Sequence, residues 1–552
     1  MNNIPGPIIT TPTTAYNNLF PYETPRECQI EAIEFAMSEF MGDKKVVIIE
    51  AGTGVGKSAI GLTIARLMQG KLQRSEQFEP GSYFLTTQKI LQEQYVNDFG
   101  CTGKPNSMKS VKSSSNYGCS FHKKNTCAES LRALKTEEKG TAFWKKCAFD
   151  CTYRNAKTAF LNSTESVTNF PYFLAETQYS GKIKPRNVLV IDEAHNVPVE
   201  LSKFVEVTMT ERFTKSMLKL TMPPLKTQVQ AIVWVKEVYA PKLKSYVKHV
   251  EKMMEKYEGL KEKLKEFATL AKQYDLLDKH ACKIERFLEI YNKDNWVFNV
   301  TPPDGRKGRK LEFKPIDVSC YADDMLFRMG RRIIMMSATI LDINATCELL
   351  GLSRKDVGFI SIPSPFPVEN RPVITAPIGK MSAAHIDLTL PKLAEAVEAI
   401  LDQHKGDKGI IHCHTFRIAN YLKKNIRSSR LLIHNSDNRD QVLRDHIESD
   451  KATVLLSPSM TEGVDLYGDI SRFQVICKVP YPYLGDKLVK KRMNKWKWWY
   501  SLQTAKTILQ ATGRSVRNED DYATTYILDS DWDRFFTRNK NQFPDGFIKC
   551  IQ

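Results

Sequence analysis

The sequence predicts an α/β protein with two parallel-sheet cores, the first of them interrupted twice. Three observations carry that expectation. Apolar runs of strand length ("KVVIIEA", "SYFLTT", "NVLVIDEA") alternate with amphipathic stretches of helix length ("CQIEAIEFAMSEFM", "KSAIGLTIARLMQ"), the pattern of a parallel sheet covered by helices. The alternation breaks over residues 101–158, rich in Cys, Lys and Ser, and again over 199–330. It starts afresh near residue 375, with strands expected at "KGIIHCH", "ATVLLSP", "FQVICKVP" and "TTYILD".

Composition sets the limits. A chain of 552 residues with 42% hydrophobic content has room for roughly three or four domains with full cores. A net charge of +17 suits a polyanionic partner, nucleic acid ahead of a membrane surface. No run of about 18 apolar residues is present, and "MNNIPGPIITTPTT" lacks the basic-then-apolar layout of a signal peptide. The expected setting is cytoplasmic and reducing, where twelve cysteines are not a disulfide scaffold. A local group of thiols there points to a metal.

Taken in order, residues 1–25 read as an extended, Pro- and Thr-rich lead-in. "EAGTGVGKSAI" then lies between a strand and a helix, as a phosphate-binding loop must. Gly52, Thr53, Gly54 and Gly56 let backbone N–H groups approach phosphates at the positive end of a helix. Lys57 would reach the β/γ-phosphates and the Ser58 hydroxyl would ligate Mg²⁺. Ala51 stands where the strict pattern has Gly. "VLVIDEAHNV" delivers Asp192 and Glu193 to the carboxyl end of a buried strand. Asp192 suits the Mg²⁺ shell, and Glu193 suits the water that attacks the γ-phosphate. Far downstream, "QATGRSVRNEDD" spaces Gln510, Arg514 and Arg517 for one helical face. In a second core facing a nucleotide, those arginines would stabilise developing phosphate charge.

Four cysteines, Cys119, Cys127, Cys147 and Cys151, crowd into the basic stretch between these motifs. Four thiolates suit an iron–sulfur cluster or structural zinc by count, although the C-x₇-C interval fits poorly with zinc's paired spacing. Cys101 is a spare ligand. The Lys/Glu-rich run over 240–290 keeps apolar residues at helical spacing and reads as a helical insert, after which "RRIIMMSATI" returns to the first sheet. In "KWKWWY", Trp496, Trp499 and Tyr500 share a core-facing helical stripe, leaving Trp498 for outward contact. His412 and His414 read as a partly buried strand without metal.

Together these motifs resemble the iron–sulfur XPD/DinG family of superfamily 2 helicases. "AGTGVGKS" resembles that family's variant phosphate loop, and "PRECQ" its adenine-reading segment, which makes Arg26 and Gln29 base contacts. "LTTQKILQEQ" resembles motif Ia, "DEAH" motif II and "SAT" (Ser337–Thr339) motif III. "SMTEGVDLYGD" resembles motif V with Glu462, Gly463 and Asp465 matching, and "QATGRSVR" motif VI. The resemblance spans about residues 22–534.

It implies two RecA-like cores, with an iron–sulfur domain and a helical arch inserted in the first. The implied boundaries are core 1 at 1–100, 159–200 and 329–374, the cluster domain at 101–158, the arch at 201–328 and core 2 at 375–552. The four cysteines would hold a [4Fe–4S] cluster, with Thr152 where the family carries Pro. Surrounding Lys112, Lys123, Lys124, Lys145, Lys146 and Arg154 would attract phosphates. Thr86, Thr87 and Gln88 in motif Ia, and Thr415 and Phe416 at motif IV, would touch nucleic acid without reading bases.

The implied activity is an ATP-dependent DNA helicase, a monomer moving 5′→3′ on single-stranded and forked DNA. RNA–DNA hybrids and R- or D-loops stay open as substrates. The alternative is an ATPase that clamps or remodels nucleic acid without separating strands. With only about 25 residues ahead of the adenine-reading segment, a fused nuclease domain is not expected.

Overall fold

The computed structural model describes residues 18–52, 54–100, 107–134, 137–257, 260–303, 308–435, 438–458, 466, 468–513, 515–516 and 519–552. Its strands in chain order are β1 (Val46–Ala51), β2 (Glu79–Thr86), β3 (Lys109–Ser110), β4 (Glu165–Asn169), β5 (Arg186–Ile191), β6 (Val207–Thr210), β7 (Trp296–Thr301) and β8 (Lys310–Pro315). There follow β9 (Gly330–Ser337), β10 (Val357–Ile362), β11 (Val373–Gly379), β12 (Gly409–His412), β13 (Leu431–Ile433), β14 (Val454–Ser457), β15 (Phe473–Ile476) and β16 (Thr524–Asp529).

Both expected parallel sheets are present. The first runs β10-β1-β9-β5-β2-β4-β3 and the second β11-β16-β15-β12-β14-β13, with every neighbouring pair parallel. β1 and β5 are buried along their whole length, which is why each carries a run of four apolar residues, Val46–Ile49 and Val188–Ile191. On one face of the first sheet Val47 and Ile49 pack against Ala32, Ile60 and Ile64 of the helices Glu27–Met41 and Lys57–Lys71. On the other, Ile48 and Leu189 share a core with Leu243, Leu277 and Phe287.

That second core reaches far into residues 201–328, and the helical expectation for this region needs correction. Helices Ala240–Tyr257 and Leu264–Ile290 are there, but so is an antiparallel sheet in the order β6-β8-β7. Along β8, buried and half-buried residues alternate, with Leu311 and Phe313 inward. This is the period-two signature of a half-buried strand. The sheet also meets the second lobe. On the helix Lys487–Lys495, Arg492 Nε donates to the Ile316 carbonyl at 2.8 Å and Arg492 Nη2 to the Pro315 carbonyl at 3.1 Å.

The "KWKWWY" stretch also differs from expectation. One helix ends at Lys495 and the next starts at Trp499, so Trp496 and Trp499 share no continuous helix. Both are nevertheless buried beside Leu349, with Trp496 Nε1 donating to Glu348 Oε1 at 2.8 Å. Trp498, expected to face outward, packs into the same cluster, its ring 5.9 Å from that of Trp496.

Candidate nucleotide site and cysteine pocket

Between β1 and the helix Lys57–Lys71 the chain turns through Gly54 and Gly56, at φ +86° and +84°, the left-handed region that disfavours side chains. Ala51 departs from the strict loop pattern because it is still strand. It is the last residue of β1, fully buried and paired with Ile362, so its methyl packs in the sheet. The Lys57 ammonium donates to the Ala51 carbonyl at 3.3 Å. Ser58 lies in the first helical turn, where free N–H groups and the helix dipole favour anions. Arg26 and Gln29 both clamp the loop's backbone. Arg26 Nη1 donates to the Gly54 carbonyl at 2.7 Å and Gln29 Nε2 to the Val55 carbonyl at 2.8 Å.

β5 ends beside this loop. The Asp192 N–H donates to the Leu85 carbonyl of β2 at 2.9 Å, which fixes the acid at the carboxyl edge of the sheet. Its Oδ1 accepts from the Glu193 N–H at 2.9 Å and its Oδ2 from the Tyr95 hydroxyl at 3.1 Å. Burial and the adjacent Glu193 push the Asp192 carboxyl up to about 6, while Lys57 pulls it down. Glu193 sits at φ +50°, a conformation few non-glycine residues adopt.

At the nucleotide site the lobes meet through His195, a residue not singled out from the sequence. Gln510 Nε2, on the second-lobe helix Trp499–Thr512, donates to His195 Nε2 at 2.7 Å. The ring proton is thereby assigned to Nδ1, where it faces Ser337 Oγ at 2.8 Å and Glu193 Oε2 at 3.3 Å. One imidazole thus ties the second acid of "DEAH", the "SAT" serine and the second lobe together. A cavity of about 440 Å³ opens beside this contact, lined by Gly52, Thr339 and Phe366 from the first-lobe side and Leu509, Gly513 and Val516 from the second.

The helix carrying Gln510 closes at Thr512. Arg514 and Arg517 lie outside the described residues, as do Thr53, Cys101, Glu462, Gly463 and Asp465.

Comparison with known proteins agrees with this architecture. Residues 23–224 match the family described as type III restriction enzyme, res subunit, and residues 403–549 the family described as helicase C-terminal domain. The chain is 24% identical over 251 residues to the ATP-dependent DNA helicase DinG of Photobacterium profundum, covering 41% of this chain and 36% of that protein. It is 21% identical over 453 residues to the ATP-dependent DNA helicase YoaA of Haemophilus influenzae, covering 73% of this chain and 68% of that protein. The chain thus spans about a third of the DinG relative's length and two thirds of YoaA's. A solved structure titled XPD_Helicase superposes with TM-score 0.63 at 16% identity, over 95% of this chain and 98% of that one. S. tokodaii Xpd4 superposes with TM-score 0.58 at 15% identity, over 96% and 99%.

The chain is similar to the XPD/DinG-like helicases of superfamily 2. Its two parallel-sheet lobes have the RecA-like fold.

In this XPD/DinG-like chain the four cysteines converge. Cys127, Cys147 and Cys151 are buried with Phe143, and Cys119 and Tyr117 pack against them. Cys127 Sγ lies 3.4 Å from Cys151 Sγ. Burial first, then the neighbouring thiols, push Cys127 up to about 12, so four thiolates here would repel one another unless a cationic centre offset them. The donor set is all sulfur, which suits iron–sulfur or zinc. Among the described residues no group of three or more His, Cys, Asp or Glu is arranged to hold a single metal ion. Thr152 has its own use: its hydroxyl donates to the Gly118 carbonyl at 3.1 Å, tying the loop before the first cysteine to the residue after the last. Two of the lysines expected to attract phosphates are already engaged, Lys112 with Glu93 and Lys146 with Asp150.

The expected nucleic-acid contacts divide. Thr86 is fully buried and its hydroxyl donates to the Gln88 carbonyl at 3.1 Å, so it shapes the turn and does not reach outward. Thr87 and Gln88 are half-buried. Thr415 caps the helix Phe416–Asn425 by accepting from the Ile418 N–H, and Phe416 is 47% exposed. No helix among the described residues is long and apolar enough to cross a membrane.

Proposed function

We propose that the chain is an ATP-dependent DNA helicase that moves 5′→3′ along single-stranded DNA and separates duplex, forked DNA included. The observation that carries this reading is the contact between His195 and Gln510. It places a second-lobe side chain one residue away from the "DEAH" alanine, at the edge of the phosphate loop. A nucleotide held there would be enclosed by both lobes, so its hydrolysis would change how they meet.

The roles follow from position. Backbone N–H groups of Gly52–Ser58 and the Lys57 ammonium would cradle the phosphates. Ser58 and Asp192 would hold Mg²⁺, which when bound offsets phosphate charge. Glu193 would take the proton of the attacking water, with His195 fixing its carboxylate. Arg514 and Arg517 would supply positive charge from the second lobe. Thr87 and Gln88 on one lobe, and Thr415 and Phe416 on the other, would grip the DNA backbone alternately as the crevice opens and closes.

We further assign Cys119, Cys127, Cys147 and Cys151 to a [4Fe–4S] cluster, within a domain at 101–158 facing a helix-rich arch at 201–328. A bound cluster supplies a rigid cross-link where the segment has little core of its own. The four-sulfur pocket supports this assignment.

The test is strand displacement by the purified protein with ATP, on duplexes bearing a 5′ or a 3′ single-stranded overhang. Displacement from the 5′ overhang alone is expected, lost on Cys151→Ser. DNA-stimulated ATP hydrolysis without displacement of either duplex would make the chain a clamp or remodeller. Visible absorption and the iron and sulfide content of anaerobically purified protein decide the metal, zinc alone being the result against the cluster.

A further inference from the structure

The helix Lys89–Phe99 links three regions that the sequence keeps apart. Its N-cap is Gln88, in the turn proposed to meet DNA. Its first two turns hold the start of the cysteine segment: Lys89 Nζ donates to Asn116 Oδ1 at 2.6 Å, Gln92 Nε2 to the Val111 carbonyl at 2.8 Å, and Glu93 pairs with Lys112. Two turns along, about 10 Å from Gln88 at helical rise, Tyr95 enters the nucleotide site. Its hydroxyl donates to Asp192 Oδ2 at 3.1 Å, with Ser58 as a further neighbour.

Tyr95 therefore stands between the two side chains assigned to Mg²⁺. The phenol is buried, its ring 5.8 Å from Phe84 and 5.7 Å from Phe99, so its hydroxyl has little freedom to leave the acid. With Oδ1 held by the Glu193 N–H and Oδ2 by Tyr95, both oxygens of Asp192 are oriented, while each keeps a lone pair for a cation. A ring that merely filled the core would need no hydroxyl. Here the hydroxyl of a ring packed between Phe84 and Phe99 points at Asp192.

We propose that Tyr95 is a positioning residue for Ser58 and Asp192, and that the helix Lys89–Phe99 couples occupancy of the Thr87–Gln88 turn by DNA to Mg²⁺ binding at the nucleotide. The helix is a single rigid element of 11 residues, so a shift at its cap moves Tyr95 with it. By linkage, DNA that tightens Mg²⁺–nucleotide binding is itself bound more tightly when the nucleotide is present. The inference rests on the nucleotide site proposed above.

The test is Tyr95→Phe in the full-length protein, which keeps the ring and removes only the oxygen. A fluorescent ATP analogue is titrated at varied Mg²⁺, with and without oligothymidylate, and read by binding alone. In the parent protein, oligothymidylate is expected to lower the Mg²⁺ midpoint. In Tyr95→Phe the midpoint should rise about tenfold, the scale of one lost hydrogen bond to a charged group, and oligothymidylate should no longer shift it. A thermal midpoint close to the parent's confirms that packing is kept, and Ser58→Ala combined with Tyr95→Phe should cost less than the two separately. An unchanged Mg²⁺ midpoint in Tyr95→Phe overturns the positioning role. A parent midpoint indifferent to DNA overturns the coupling. Analogue binding that ignores both Mg²⁺ and Lys57→Ala overturns the nucleotide site itself, a distinguishable outcome.

Discussion

The phosphate loop and the cysteine pocket are both built from residues brought together by folding, yet they are held in different ways. Every side of the loop is backed by the first lobe: Ala51 is locked in β1, Arg26 and Gln29 grip its carbonyls, and Asp192 hangs from a buried strand. The pocket is tied to the first lobe more sparsely, through the contacts of the helix Lys89–Phe99 and the Tyr153–Tyr172 pair. Its buried side chains are three cysteines and Phe143, in a stretch whose helices Cys127–Ala133, Ala142–Phe149 and Thr152–Asn162 run to 7, 8 and 11 residues. A small, polar segment of that kind needs a cross-link to stay in one shape. The first site is preformed by packing, whereas the second, on the cluster assignment proposed above, would be completed by what its sulfurs bind.

The comparison can be broken most directly at Lys57. Lys57→Ala should leave the fold intact and reduce DNA-stimulated phosphate release by about a hundredfold or more, the scale at which a group that stabilises transition-state charge counts. Wild-type turnover in this variant would remove the nucleotide site from the account. Cys127→Ser should do the reverse. It should abolish the visible absorption and make residues 107–163 sensitive to limited proteolysis, while ATP hydrolysis stays within about threefold, since folding of a metal-held segment follows its metal. If hydrolysis falls as far as in Lys57→Ala, the two sites are not separately supported. The smallest effect is expected at the seam. Gln510→Leu removes the donor to His195 and should lower turnover about tenfold, with the absorption unchanged. A loss of absorption there would show that the cysteine pocket depends on lobe closure.

Much of the first site was legible from sequence because its motifs are local. A strand, a glycine turn and a helix read directly off "VVIIEAGTGVGKSAI", and "DEAH" follows four apolar residues of a strand. What was illegible depended on partners distant in the chain. His195 was in plain view, but its bond to Gln510 crosses 315 positions. Tyr95 carries no local signal either, because nothing near it in the sequence shows that its oxygen meets Asp192. The β6-β8-β7 sheet was hidden for the same reason: β6 and its partner β8 are separated by two long helices, whose 3.6-residue periodicity dominated the region. Thr86 was misread because the reading assigned a polar residue at a strand end to solvent, whereas its hydroxyl folds back on the turn.

Arg492 reaches from the second lobe to the carbonyls of Pro315 and Ile316, just after the last strand of the inserted sheet. The insert is therefore a bearing surface on which the far half of the protein rests. Trimming residues 201–328 away would not yield a smaller engine. It would strip a guanidinium of its acceptors and open the sheet face around Ile48 and Leu189 to water, so the insert and the two lobes stand or fall together.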